Sequence, residues 1–157
     1  MKRFQFELQP LLGLKKQQQA EAQMRQLKMR MHLDTVRQQL KALEDQLDAM
    51  ANQQSERLGV PVPAAQFVLQ SQSSDQLRDW IVEVRNREQQ SESDYQQAAA
   101  DYARITAAVE ALESLRNAEW NEYVKQSARE RQRELDETVL RRWRYPNDAN
   151  MEVQSDG

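Results

Sequence analysis

The chain has 157 residues, a net charge of −3 and a pI near 5.3, with 30% charged and only 6% aromatic residues. Its mean hydropathy of −0.96, with three glycines and four prolines, favours long helices around a narrow apolar seam over a large globular core. The acidic balance makes the chain as a whole a poor ligand for polyanions.

The compartment follows from what the sequence lacks. It contains no cysteine, which excludes disulfides and fits a reducing cytoplasm. The opening MKRFQFELQP has no apolar core of the kind that a signal peptide needs. No apolar run approaches the roughly 20 residues that span a membrane. We therefore expect a cytoplasmic, mostly helical protein.

The first half carries a heptad seam, because apolar residues recur at alternating spacings of four and three. The seam residues are Met29, Leu33, Val36, Leu40, Leu43, Leu47 and Met50. Upstream the pattern weakens, and a second row of Ala20, Met24, Leu27 and Met31 takes over. This change of row predicts a shift of phase near residue 30.

The second half repeats the heptad pattern. Its ladder is Tyr95, Ala98, Tyr102, Ile105, Val109 and Leu112, and the same frame extends back to Ile81 and Val84. A second amphipathic helix with a coiled-coil seam is therefore predicted.

Between the two ladders, Gly59, Pro61 and Pro63 exclude an uninterrupted helix. Ser74 or Asp75 is a suitable N-cap for the segment that follows. The predicted elements are helix 1 over about 10–56, a tip loop over about 57–74, helix 2 over about 75–144 and a disordered tail over 146–157. Near the N terminus two conformations stay open: residues 4–8 are extended, or the helix begins early with Pro10 in its first turn.

Two long helices joined by a broken loop predict an all-α fold, a long antiparallel coiled-coil hairpin over residues 1–145 with a Pro/Gly-broken tip. In such a hairpin the numbers of paired residues add up to a constant. A constant of 131 aligns both ladders and pairs Leu33 with Ala98, and a slip of one heptad to 138 also aligns them. The value of 131 is preferred because it leaves the shorter loop.

That register leaves the end of helix 2 without a partner. Met1 would lie level with Glu130, so roughly 14 residues, or about 20 Å, would project beyond helix 1. This overhang carries an apolar stripe of Leu135, Val139, Leu140 and Trp143. An uncovered stripe marks a contact surface, unless Phe4, Phe6 and Leu8 fold back over it.

The residue types offer no support for catalysis. His32 is the only histidine, and there is no Gly-rich phosphate loop and no metal-ligand spacing. No catalytic residue, metal site or cofactor is predicted. The arginines of the C-terminal helix alternate with carboxylates, which predicts a solvated lattice of ion pairs rather than a stripe that faces nucleic acid. The apolar stripe favours a protein partner.

Trp80 lies one position away from Ile81 of the second ladder, so we expect it at the rim of the seam, where an aromatic side chain can serve a partner. For Leu43, Met50 and Val84, burial in the seam competes with such a role. Residues 67–69 are predicted to cap the hairpin tip.

The two ends of the chain, FQFELQPLLGLKKQQQAEAQ and LESLRNAEWNEYVKQSARERQRELDETVLRRW, resemble the FliJ family of flagellar type III export proteins. The resemblance covers roughly residues 4–144. It implies a two-helix coiled coil similar to the central stalk of rotary ATPases, without enzymatic activity, that is a monomer alone and lies at the cytoplasmic side of the inner-membrane export apparatus.

The resemblance also implies partners: the hexameric export ATPase, the export-gate membrane protein and export chaperones. The implied ATPase-binding residues are Leu8, Leu11, Leu12, Arg131, Arg133, Leu135, Arg141, Arg142 and Trp143. The implied gate-binding residues are Leu43, Gln46, Met50, Trp80 and Val84. The alternatives are an intermolecular coiled-coil scaffold and a chaperone that holds export substrates.

Overall fold

The computed structural model describes residues 3–144, which form two helices and contain no strand. Helix α1 is Gln9–Glu56 and helix α2 is Ala64–Arg144. The all-α prediction is confirmed. The predicted disordered tail, 146–157, lies outside the described residues. The chain divides into two compact units: the hairpin unit, Gly13–Val109, and the terminal unit, which comprises residues 3–12 and 110–144.

The seam of the hairpin unit follows the predicted heptads. Val36, Leu43, Leu77, Ile81 and Val84 form one buried cluster, and Leu40, Leu47 and Met50 pack against it. Farther from the tip, Ala22, Leu33 and Ala98 are also buried. The sequence ladder did not include Ser74, Leu77 and Ser91, which continue it at the same spacing and are buried as well.

The tip loop is shorter than predicted. Helix α2 begins at Ala64 and not near residue 75, so only residues 57–63 connect the helices. The backbone nitrogens of Gln66 and Phe67 donate to the carbonyl of Pro63, 3.0 and 3.2 Å away. Proline suits this start because it needs no donor of its own there. Gly59 has a φ of 95°, which the turn requires and which glycine adopts without strain.

The serine-rich segment that the sequence predicted as loop is helical for a local reason. The hydroxyls of Ser73 and Ser74 donate to the carbonyls four residues earlier, at 2.9 and 3.1 Å. These bonds satisfy polar groups that would otherwise favour a turn. Asp75 does not cap a helix but forms an ion pair with Arg78 at 3.0 Å.

The helices of the hairpin unit run antiparallel, and their polar contacts define the register. Arg37 bridges Glu88 and Glu92 at 2.9 and 2.6 Å, and Glu44 pairs with Arg85 at 2.7 Å. The residue numbers of these pairs add up to 125 or 129, so the register centres on 127. The hydrogen bond to Glu88 raises the pKa of Arg37 above its ordinary value.

The preferred register of 131 and the alternative of 138 are therefore both wrong, the first by four residues. The short loop is the reason, because α2 turns back directly after Pro63. Each residue of α1 then lies level with an earlier residue of α2 than predicted. Val36 lies level with Ser91, whereas Leu33 and Ala98 are offset by about 6 Å along the axis.

A pair of cysteine variants checks this register. Val36→Cys with Ser91→Cys should form an intrachain disulfide readily, because the two positions face each other in the seam and a disulfide needs Cβ atoms about 4 Å apart. Leu33→Cys with Ala98→Cys should cross-link more slowly. The chain has no other cysteine to confuse the result. Non-reducing gel electrophoresis after mild oxidation measures both, and faster closure of the second pair would contradict the register.

The terminal unit contains the N-terminal segment and the last part of α2. Residues 3–6 are not helical, and residues 7 and 8 form a turn. Helix α1 begins at Gln9 with Pro10 in its first turn, which is the second of the two open conformations. The ring of Phe4 packs edge-on against Trp120, with centroids 5.1 Å apart, and against Tyr123 at 5.5 Å. Phe6 and Leu12 are buried.

Candidate protein-binding surfaces

The end of α2 carries the apolar stripe that the sequence predicted. We call Leu135, Val139, Leu140 and Trp143 the C-terminal stripe. Every residue from 128 to 144 is exposed, and the four stripe side chains are 57–83% exposed. Spacings of four residues place Leu135, Val139 and Trp143 on one face of the helix. This face is apolar and accessible within the described chain.

The alternative that the N-terminal segment covers the stripe is not borne out. Phe4 contacts Trp120 and Tyr123, which lie three to four turns before Leu135. Phe6 is buried, and Leu8 is partly exposed. The N-terminal segment thus covers an earlier part of α2, and the C-terminal stripe remains open to solvent.

The charged side chains around the stripe do not form the predicted lattice of ion pairs. None of the ion pairs found within residues 3–144 involves a residue beyond position 127. Arg131 donates to the backbone carbonyl of Ser127 at 3.3 Å, and Gln132 donates to Asp136 at 2.9 Å. The side chains of Arg133, Arg141 and Arg142 are exposed beside the stripe. They can therefore engage a partner without breaking an internal ion pair.

Charge is unevenly distributed along this end of α2. Residues 128–137 hold three arginines and four carboxylates, whereas residues 138–144 hold three arginines and no carboxylate. The arginines of the last turn also lie where the helix dipole favours positive charge. The C-terminal end of α2 is thus both basic and apolar, which fits an acidic partner surface with an apolar recess.

The N-terminal residues named with the C-terminal stripe divide by burial. Leu12 is almost completely buried, while Leu8 and Leu11 are partly exposed. Leu12 therefore stabilises the terminal unit and cannot contact a partner without unfolding it. Leu8 and Leu11 remain accessible.

The five residues implied for gate binding divide in the same way. Leu43 and Val84 belong to the buried cluster of the hairpin unit, so they position the helices and offer no accessible surface. Trp80 is 48% exposed, as expected for the rim of the seam. Gln46 is exposed and Met50 is half-buried. We call Gln46, Met50 and Trp80 the rim site.

The three residues of the rim site share one edge of the hairpin unit. Arg85 and Glu44 form an ion pair across the other edge. At 100° per residue, Gln46 and Trp80 point to the side opposite these charges. In the observed register, Trp80 lies level with residue 47 and therefore between Gln46 and Met50. The rim site is thus a continuous surface with an indole at its centre.

An exposed apolar cluster, which the sequence did not predict, lies at the tip of the hairpin unit. Residues 67–69 do not cap the hairpin, since Phe67, Val68 and Leu69 are more than half exposed. The loop residues Leu58 and Val60 are exposed beside them, and residues 58–74 contain no charge. The missing signal was the early start of α2, which turns these side chains outward.

Two other features bear on the function. Along residues 3–144, neither helix holds a stretch apolar enough to cross a lipid bilayer. Acidic and histidine side chains in that range do not gather in threes around a point where a metal ion could bind.

The family model described as "Flagellar FliJ protein" matches residues 4–147, nearly the whole chain. No curated protein and no solved structure matches this chain. The match extends over both helices and includes the whole C-terminal stripe and the whole rim site. This agrees with the resemblance that the two ends of the sequence carry. The chain therefore belongs to the FliJ family, a non-catalytic family of flagellar export proteins.

Proposed function

We propose that this protein is the stalk of a flagellar type III export machine, coupling the hexameric export ATPase to the export gate and binding export chaperones. It would act in the cytoplasm, held at the inner membrane by its protein partners. Membership of the FliJ family supports a role in flagellar export. The single observation that carries the finer proposal is the exposed C-terminal stripe with its arginines free of internal ion pairs.

The stalk performs no chemistry of its own. A single helix inside a ring of six subunits cannot contact all six alike, so it stabilises different conformations in different subunits. The C-terminal stripe supplies the apolar anchor, and Arg131, Arg133, Arg141 and Arg142 pair with acidic residues of the ring. Leu8 and Leu11 add apolar area, whereas Leu12 supports the contact from inside the terminal unit.

The rim site is the proposed contact with the export gate. An indole that is half exposed at the edge of a coiled coil offers a large, rigid apolar area together with one hydrogen-bond donor. Gln46 and Met50 extend the contact along the same edge. Leu43 and Val84 hold Trp80 in place through the seam and do not touch the gate.

Trp80→Ala should weaken gate binding by at least about tenfold, the usual effect of removing a central aromatic anchor. It should leave folding nearly unchanged, because Trp80 is outside the core. Arg87→Ala, also on α2, is the matched control and should bind as the wild type does. Titration of the purified gate domain by calorimetry measures both. Equal affinities of wild type and Trp80→Ala would remove the rim site from the proposal.

Affinity purification from the flagellated host tests the whole proposal. The tagged chain should recover the export ATPase and a gate component, identified by mass spectrometry. Recovery of export substrates without the ATPase would instead support the substrate-holding chaperone. A scaffold of several chains predicts interchain products from the cysteine pair at residues 36 and 91. Ion pairs between α1 and α2 of one chain favour the hairpin over such a scaffold.

A further inference from the structure

Helix α1 carries a second apolar stripe that neither the seam nor the proposed function uses. Met24, Leu27 and Met31 are 52–67% exposed and line an open groove together with Arg25 and Lys28. Ala20 is exposed one turn earlier. We call Ala20, Met24, Leu27 and Met31 the methionine seam.

The methionine seam points away from α2. Met24 follows the buried Ala22 by two residues, and Met31 precedes the buried Leu33 by two. Two residues correspond to about 200° around a helix. The stripe therefore lies on the outer face of the hairpin unit. The row that predicted a shift of phase is a second face of α1, because Ala22 and Leu33 on either side of it remain buried.

The spacing of these residues indicates what kind of surface can cover them. They recur at intervals of four, three and four, the narrow pattern by which one helix packs along another. A lipid surface calls for a wider apolar face, commonly with aromatic residues, and residues 14–31 contain none. Methionine is common on surfaces that accept partner helices, because its side chain adapts to their shape.

The charged residues around the methionine seam indicate the sign of the partner's charge. Residues 14–31 contain five lysines and arginines and one glutamate, in a chain whose net charge is −3. In the heptad of the methionine seam, Lys28 and Arg30 occupy the flanking positions that select a partner by charge. A second copy of this chain would bring like charges together at that place, which disfavours self-association.

We propose that the methionine seam binds a helix of another protein, one that carries an apolar heptad stripe flanked by aspartate and glutamate. The contact would extend over about three turns of α1, from Ala20 to Met31. It is separate from both the C-terminal stripe and the rim site, so this proposal does not depend on the proposed function.

A synthetic peptide tests the proposal with the full-length protein. The probe has three heptads with leucine at the seam positions and glutamate at the flanking positions, and it carries a fluorophore for anisotropy titration. We expect a dissociation constant in the micromolar range that weakens as salt rises. A peptide with lysine in place of glutamate should bind at least about tenfold more weakly.

Paired variants assign the site. Met24→Gln with Met31→Gln should weaken binding of the acidic peptide at least about tenfold. The control, Phe67→Gln with Leu69→Gln, should leave it unchanged, because it alters two similarly exposed apolar side chains outside the methionine seam. Circular dichroism should show equal helix content in all three proteins. Equal peptide affinity in the methionine variant and the wild type would overturn the proposal, as would loss only in the control.

Two further measurements address the other occupants. If the wild type, but not the methionine variant, co-floats with vesicles of anionic phospholipid, and the acidic peptide does not bind, the surface is a membrane contact and the proposal fails. If analytical ultracentrifugation shows self-association that the methionine variant abolishes, the occupant is a second copy and the proposal fails. A monomer that binds the peptide and ignores the vesicles supports it.

Discussion

Replacement of Leu135 and Trp143 by alanine is expected to weaken binding to the export ATPase ring by at least roughly 100-fold. Both side chains are mostly exposed in the free protein, so their apolar area becomes buried only in the complex. Burial of a leucine and a tryptophan contributes about 1.5–3 kcal/mol each, and each 1.4 kcal/mol changes an affinity tenfold. Surface plasmon resonance on the immobilised ring measures the change.

The helix should survive this double substitution. Alanine has the highest helix propensity, and neither side chain belongs to the buried core. Circular dichroism should therefore show unchanged helix content. Phe67→Ala with Leu69→Ala removes two similarly exposed apolar side chains at the tip and should bind the ring as the wild type does. If the Leu135 and Trp143 variant keeps full ring affinity, the C-terminal stripe is not the anchor.

Val84→Asp should have the largest effect on folding. Val84 is completely buried within the cluster of Val36, Leu43, Leu77 and Ile81. A carboxylate there has no partner among these apolar side chains, and an unpaired buried charge costs more than about 3 kcal/mol. Urea denaturation followed by circular dichroism should show this loss in the free energy of unfolding. The loss should shrink as pH falls, because the protonated carboxyl is easier to bury.

Trp80→Asp is the matched control, because it places the same side chain four residues earlier on α2 at the exposed rim. It should lower the free energy of unfolding by less than about 1 kcal/mol, as is usual for surface substitutions. The comparison separates the two kinds of residue that the family resemblance grouped together. Similar losses of unfolding free energy in both variants would contradict the assignment of Val84 to the buried core and of Trp80 to the exposed rim.

The heptad pattern was sufficient to predict the two helices and most of the buried residues. Apolar side chains at 3.5-residue spacing can be buried together only along a helical seam, so Leu33, Val36, Leu43 and Ala98 could be assigned from sequence. The register could not. Several registers align two ladders of the same period, and the choice depends on the length of the loop.

The loop length was predicted wrongly because the local sequence is typical of a turn. The run of serines and glutamines before Asp75 is typical of a turn, but Ser73 and Ser74 bond to the preceding turn of a helix. Helix α2 therefore starts at Ala64, and the exposed apolar residues around Phe67 could not be recognised as a surface.

For the candidate surfaces, too, the sequence predicted one part and the structure was needed for the rest. The exposure of the C-terminal stripe followed from the longer second helix, because a helix that outlasts its partner leaves an apolar face uncovered. Its freedom from Phe4 and Phe6 required the structure. Burial likewise separates Leu43 and Val84 from Trp80, although the resemblance assigns one role to all of them.

In-cell photo-crosslinking at Val139 tests most directly the claim that the C-terminal stripe belongs to the export ATPase. A photoreactive phenylalanine analogue at this position, in the middle of the stripe, should cross-link to the ATPase when flagella are being assembled. The same analogue at Thr35, on the exposed side of α1, should not. Cross-links from position 139 only to other copies of this chain, or only to export substrates, would contradict the claim.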